Sequence, residues 1–252
     1  MCASAEKELH NLDDFAGLIE QWQAQGFEYT IIGGCAVGAY GRLQGENVLS
    51  RDLDLYASTA TLNQMLARAP LHGLAVRKRP QPRSIPTAFA VWRGLEVNIL
   101  TRTDGLPPPE QAIRTARAFR FQSHPGLEVL VADPYDLLAN KLAVNRPKDR
   151  PHIAILTRFI EEEVVAAFRE ESLPRERIAP ARRLLSALRA HTLSVPLAAR
   201  LILLAKTEAD FRFLVHAAPS RKEADAAIKR GPDGLRSELV EILKSRRFPK
   251  SS

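Results

Sequence analysis

A chain of 252 residues, 45% hydrophobic and 26% charged, has room for one large or two small packed domains and lies outside the composition of disordered or fibrous proteins. Its net charge of +7 is unevenly placed: residues 1–132 carry 13 Lys and Arg against 13 Asp and Glu, whereas residues 133–252 carry 23 against 16. The basic half suits contact with a polyanion, because Lys and Arg contacts to phosphate dominate affinity for nucleic acid, and it suits equally a solvated, arginine-rich helical surface. The start of the chain is polar and acidic, without the apolar run of a secretory leader. The longest apolar stretch, residues 197–205, is broken by Arg200 and is too short for a bilayer. Cys2 and Cys35 give neither a disulfide framework nor a cysteine zinc site. A cytoplasmic protein with no membrane span is expected.

Leu12, Phe15, Leu18, Ile19 and Trp22 recur at helical spacing, which predicts an amphipathic helix over residues 12–25, ended by Gly26. Residues 27–32 read as a strand, Gly33-Gly34 as a turn, and residues 35–40 as the start of a helix. A second strand carries Asp52 and Asp54 among Leu53, Leu55 and Tyr56, and residues 59–69 are helical up to Pro70. Strands are predicted at Leu74–Lys78, Thr87–Trp92 and Leu95–Leu100, the last two joined by a tight Arg93-Gly94 link in an antiparallel extension. Pro107-Pro108-Pro109 predicts a surface turn, and residues 118–122 and 128–131 two short strands. At Asp133 the pattern becomes all helix: Asp133 caps a helix whose first position is Pro134. Further helices are predicted over 151–171, 175–190, 196–206, 208–216, 221–229 and 235–246, with breaks at Pro180, Pro196, Pro219 and Gly231-Pro232. The expected organisation is an α/β domain over 1–132 and a helical domain over 133–252, its first helices completing a cleft.

Asp52 and Asp54 stand two apart on a strand, so their side chains emerge on one face with backbone positions about 7 Å apart. Two carboxylates facing one way repel, and enclosed without a basic partner they make a divalent cation the natural occupant. Mg2+ prefers oxygen ligands and commonly combines one or two carboxylates with substrate phosphates. An isolated Asp-Leu-Asp fits an exposed strand end as well. Gly33-Gly34 after a strand lets backbone N–H groups approach phosphate oxygens with no Cβ in the way. With Ser50 and Arg51 just before Asp52, these residues make a site for a metal-bound triphosphate. No Gly-x-Ser-x-Gly elbow or Walker loop occurs, and His124, His152, His191 and His216 lack metal-ligand spacing, so each reads as a surface or core histidine. Arg77-Lys78-Arg79 with Arg83 fits a solvated sheet edge or an RNA contact, and Glu161-Glu162-Glu163 a solvated helix face.

The segment Ile31-Ile32-Gly33-Gly34-Cys35-Ala36-Val37, followed by Ser50-Arg51-Asp52-Leu53-Asp54-Leu55, resembles the nucleotidyltransferase superfamily that shares its fold with DNA polymerase β. Asp136-Leu137-Leu138-Ala139-Asn140-Lys141-Leu142-Ala143, then Arg146-Pro147-Lys148-Asp149, resembles the downstream segment of bacterial members related to the nucleotidyltransferase toxins of toxin–antitoxin systems. The resemblance spans residues 28–156. It implies an α/β (α+β) fold, a mixed sheet with flanking helices, followed here by an all-helical C-terminal region. The implied activity is Mg2+- or Mn2+-dependent transfer of a nucleoside monophosphate from a nucleoside triphosphate to an acceptor hydroxyl. RNA or tRNA is the first choice of acceptor; a protein hydroxyl and an aminoglycoside-like molecule are the others. Asp52, Asp54 and Glu96 are the implied catalytic and metal-holding residues. Gly33, Gly34, Ser50, Arg51, Asn98, Lys141 and Asp149 are the implied nucleotide-binding set, with Lys141 on triphosphate oxygens and Asp149 orienting the site. Read from the residues alone, Lys141 is equally a surface residue and Asp149 a helix N-cap beside Pro151.

The chain departs from that pattern in three places. Asn98 stands where the family has its third carboxylate; it offers a carbonyl oxygen to a metal but neither charge nor a base, and Glu96 on the same face is the substitute. Val48 replaces an arginine four residues before the first aspartate, which leaves Arg42 or Arg51 to serve. Cys35 replaces a serine. Two other readings follow: a catalytically weakened nucleotide- or RNA-binding module, and a toxin–antitoxin interaction protein with an antitoxin-like protein partner.

Overall fold

The computed structural model describes residues 8–81, 84–245 and 248, which leaves Cys2, Arg83 and Arg246 outside the described residues. The chain divides into two compact units, Met1–Leu156 and Thr157–Ser252. The change of sequence character at Asp133 therefore precedes the division between units, and the helix that starts there belongs with the sheet.

In the first unit, Asn11 and Asp14 each accept a hydrogen bond from the other's backbone N–H, a reciprocal cap that starts the helical segment. That segment forms in two pieces, a 3-10 turn over Leu12–Phe15 and then α1 (Ala16–Gln23). Phe15, Leu18, Ile19 and Trp22 of its apolar face are fully buried, each such side chain contributing about 1.5–3 kcal/mol. Strands β1 (Tyr29–Ile32), β2 (Asp52–Ala57), β3 (Leu74–Lys78), β4 (Thr87–Trp92), β5 (Leu95–Leu100), β6 (Arg117–Arg120) and β7 (Glu128–Val131) form one sheet in the order β3-β4-β5-β2-β1-β7-β6. β2 lies at its centre, antiparallel to β1 and parallel to β5. The predicted antiparallel extension is present as β3-β4-β5, with basic β3 at the sheet edge, where Arg77 and Lys78 discourage pairing with another chain.

Helices α2 (Gly33–Leu43) and α4 (Pro109–Thr115) pack on β1 and β2, and α3 (Thr59–Arg68) starts at Ser58, whose hydroxyl accepts from the Thr61 N–H. α4 replaces part of the surface turn predicted at the three prolines. Pro109 occupies its first helical position, where a missing N–H costs no intrahelical bond, and Pro109 and Ala112 are buried. α5 (Pro134–Val144) begins as expected, with Asp133 accepting from the Tyr135 N–H.

α6 (Arg150–Glu170) runs across the division, and α7 (Pro174–Leu188), α8 (Val195–Leu204), α9 (Glu208–Ala217), α10 (Arg221–Arg230) and α11 (Arg236–Lys244) complete the second unit. Within that unit α9 is the hub, touching α7, α8, α10 and α11. The break predicted at Pro180 does not occur: α7 continues through it. The bond lost there would end on the carbonyl of exposed Glu176, which water can serve, while buried Arg177, Ile178, Ala181 and Leu184 hold the helix by packing. The acidic run on α6 is not merely solvated, since Glu161 accepts from Ser194 and Glu162 takes two 2.8 Å bonds from Arg200 of α8. No helix among the described residues is long and apolar enough to cross a membrane.

A buried ion pair joins α7 to α9. Arg177 donates to Asp210 at 3.2 and 3.0 Å, and Asp210 also accepts the Lys206 and Thr207 N–H groups; the two side chains are 1% and 0% exposed. Burial alone would push the Asp210 carboxyl up, but the Arg177 and backbone hydrogen bonds hold it below the ordinary carboxylate range. Its folded value lies below its unfolded one, so this stabilisation is complete above about pH 4 and is lost as pH falls through the folded value. Asp210→Asn should lower unfolding free energy by about 3–5 kcal/mol at neutral pH, because it strands the Arg177 charge. Urea unfolding between pH 7 and pH 3 checks this: the variant should lose less stability on acidification than the native chain, and an identical pH dependence would contradict the assignment.

Candidate functional site

β1 passes into α2 without a loop, so Gly33-Gly34 forms the first turn of the helix rather than a turn ahead of it. Register sets Ile32 opposite Asp54, which brings the next residue, Gly33, against that carboxylate. Gly33 has φ +71°, and a Cβ there would lie 2.0 Å from Asp54 Oδ2. A Cβ on Gly34 would lie 2.4 Å from Ser50 Oγ. The close approach of β2 thus requires both glycines, and it sets the first turn of α2, whose N–H groups have no partner within the helix, beside two acids.

Parallel pairing of β2 with β5 sets Asp52 beside Glu96 and Asp54 beside Asn98. Leu53, Leu55, Val97 and Ile99 alternate with these four and are buried on the opposite face, so core packing holds the polar residues in place. Asn98 Nδ2 donates to Asp52 Oδ2 and to Asp54 Oδ1, both at 2.9 Å. Ser50 donates to Asp52 Oδ1 at 3.2 Å. Buried Cys35 donates its thiol to the Asp52 carbonyl at 3.3 Å. Burial, and then the negative charges of Asp54 and Asp52, push that thiol up, so it stays a neutral donor. Burial and the Asp52 charge push the Asp54 carboxyl up to about 6, against the Asn98 hydrogen bond and the positive charges of Lys141 and Arg146. Among the described residues, no three His, Cys, Asp or Glu side chains are grouped to hold a metal, so Glu96 makes no three-acid group with the pair. The amide of Asn98 occupies the position between the two aspartates.

The facing wall comes from α5 and the 3-10 turn Pro147–Asp149. Lys141 is 3% exposed, so it is not the surface residue its sequence context allowed, and its Nζ lies 3.4 Å from Asp149 Oδ1. Burial pushes the Lys141 ammonium down, against the pull of Asp149. Asp149 is fully buried and spends its carboxylate on Lys141 and on a two-bond clasp from Arg146, at 2.7 and 3.1 Å. Those partners hold its carboxyl below the ordinary range despite burial. Asn140 anchors α5 to the segment after β5 by donating to Thr103 Oγ1 and to the Asp104 carbonyl.

Gly33, Gly34, Ser50, Arg51, Asp52, Asp54, Glu96, Asn98, Lys141 and Asp149 all line one cleft of about 810 Å3, within the range of small-molecule sites. Of the two arginines that could stand in for Val48, Arg51 is there; Arg42 pairs instead with Asp13 at 3.1 Å. Lys78 and Lys148 also reach the cleft, as does His152, which the sequence marked only as a surface or core histidine. His152 lies 3.8 Å from Asp149 at i+3, and burial and the Lys141 charge hold its imidazole below its ordinary pKa. That helical spacing from Asp149 was the signal available for it. An acidic floor, a helix N-terminus and a basic wall together suit a ligand that brings both a cation and phosphates.

No family model and no curated protein matches the chain. Among solved structures, the chain is similar to an antigenic nucleotidyltransferase-like protein from Paracoccidioides brasiliensis, with 16% identity, 94% of each chain covered and a TM-score of 0.33. It is similar to a tRNA-processing enzyme in an apo form, with 13% identity, 93% of this chain and 78% of that one covered, and a TM-score of 0.31. A tRNA nucleotidyltransferase solved with a primer tRNA and an incoming ATP analogue is 15% identical over 91% of this chain and 80% of its own, with a TM-score of 0.27.

Gly33→Ala combines a positive φ with a collision against Asp54 and should cost about 1–3 kcal/mol of stability. Gly126→Ala, with nothing within 4 Å of the added methyl and no positive φ, should stay within about 0.5 kcal/mol of the native chain. Chemical denaturation of both variants measures the difference, and equal stabilities would refute the close approach.

Proposed function

We propose that the cleft transfers a nucleoside monophosphate from a nucleoside triphosphate to an acceptor hydroxyl, with Mg2+ or Mn2+. One observation carries this reading: the two aspartates of β2 face the glycine-led start of α2 and share a cleft with buried Lys141. That combination offers sites for a divalent cation and for phosphate oxygens within a single ligand's reach.

The donor set fits a hard cation. Asp52 and Asp54 supply carboxylate oxygens, and burial, with the Asp52 charge, raises the Asp54 pKa, a cost that a bound cation would offset. They would hold the metal, while Glu96, in register beside Asp52, lines the same face without grouping with them. The cation, when bound, supplies charge stabilisation to the oxygens of an in-line displacement. The N–H groups of Gly33 and Gly34, the Ser50 hydroxyl and the Lys141 ammonium would hold the triphosphate, with Arg51 at the mouth. Asp149 keeps Lys141 and Arg146 in place. In the transfer, the acceptor oxygen bonds to the α-phosphorus as the bond to pyrophosphate breaks, and the hydroxyl proton passes to a cleft carboxylate or to solvent.

For the acceptor we favour RNA, tRNA included. Lys78 extends the cleft toward the basic edge strand β3, and the second half of the chain carries the +7 excess. The Asn98 amide between the aspartates favours one other reading, a module that holds nucleotide without transferring it.

Incubating the protein with each α-32P nucleoside triphosphate, total RNA and Mg2+ or Mn2+ should label RNA, and Asp54→Ala should lower that rate by at least about 10²–10³-fold. Nucleotide with metal should also raise the melting temperature, since a ligand at 100 times its Kd adds about 2.7 kcal/mol to the folded state. Absence of both labelling and a thermal shift would sink the proposal, whereas a shift without labelled RNA would select the binding module or another acceptor.

A further inference from the structure

The carboxylate oxygens of Asp52 and Asp54 are not equivalent. Asp52 Oδ1 takes the Ser50 hydroxyl, while Asp52 Oδ2 and Asp54 Oδ1 share the two hydrogens of the Asn98 amide. Asp54 Oδ2 points at the Gly33 backbone, at the start of α2. The neutral amide therefore bridges the pair where a third carboxylate would add charge, and Glu96 forms no three-acid group with them among the described residues. Elsewhere the charged lining is largely basic, from Arg51, Lys78, Lys141, Arg146 and Lys148, and the remaining acid, Asp149, is bound by Lys141 and Arg146. Two carboxylates balance one divalent cation. Before nucleotide binds, a second ion would bring two more positive charges into a cleft with no further acid grouped with the pair to receive them.

We propose that the cleft without nucleotide takes a single divalent cation and that Asn98 sets that number. The inference rests on the reading that Asp52 and Asp54 hold the metal. It distinguishes this cleft from two-ion centres, in which a pair of metals about 3.5–4 Å apart clamps the attacking and leaving oxygens.

Titration of the full chain with Mn2+ alone, followed by loss of the free-ion electron paramagnetic resonance signal, counts the sites without any enzymatic assay. One Mn2+ per chain is expected for the native protein and for Glu96→Gln, and two for Asn98→Asp, with thermal melting confirming that each variant is folded. Two ions on the native chain, or one on a folded Asn98→Asp, would overturn the inference while leaving nucleotidyl transfer standing. No bound Mn2+ on the native chain would overturn it together with the metal assignment to Asp52 and Asp54. Should Asn98→Asp fail to fold, Glu96→Gln decides alone: loss of an ion on that change would show that Glu96 completes a larger metal set.

Discussion

Asp52 and Asp54 are held side by side on one face of the central strand, and the charge they bring together is the constraint that the surrounding cleft answers. Burial, together with the Asp52 charge, pushes the Asp54 carboxyl toward its neutral form. Several neighbours reduce the repulsion without removing either acid. Asn98 places one amide between them, Ser50 takes a further oxygen, and Lys141 and Arg146 contribute positive charge from the opposite wall. Gly33 is required because β1 pairs with β2 in a register that leaves no room for a side chain over Asp54. The core supplies the rigidity: Leu53, Leu55, Val97 and Ile99 pack on the other face of the same two strands and fix the orientation of the polar residues between them.

The basic wall depends on Asp149. A buried ammonium is costly unless paired, and Lys141 is enclosed almost completely. Asp149 compensates it and also clasps the half-exposed Arg146, so one buried carboxylate orients two cations toward the cleft. The cap at Asp133 and the anchoring of Asn140 to the segment after β5 set the position of α5, and with it of Lys141. The chemistry proposed for the cleft uses this division of labour, with acids on the sheet for a cation and a paired lysine on a helix for phosphates.

The second unit follows a different logic. Its helices gather around α9, and the buried Arg177–Asp210 pair ties α7 to the start of that helix with every strong donor of the arginine engaged. Several of its other basic residues remain at the surface in exposed pairs such as Arg212 with Glu238, which contribute little to stability. Net positive charge there bears on association with polyanions rather than on the fold.

Local rules determined much of this protein from its sequence. The strands β3, β4, β5 and β7, the Asp133-Pro134 helix start and the shared face of Asp52 and Asp54 follow from alternation, capping and pleat, which act over a few residues. Proline was a poor stop signal at two places: Pro109 takes the first helical position, where its missing N–H costs nothing, and at Pro180 tertiary burial sustained the helix. Only the tertiary structure decided which long-range neighbours meet. Strand order and register brought Asn98 between two aspartates more than forty positions away, and the packing of α5 turned Lys141 inward against Asp149. His152 joined the cleft in the same way. Periodicity specifies which face a side chain occupies, but the electrostatics of a site depend on distances between faces, and the pairing of distant segments sets those distances.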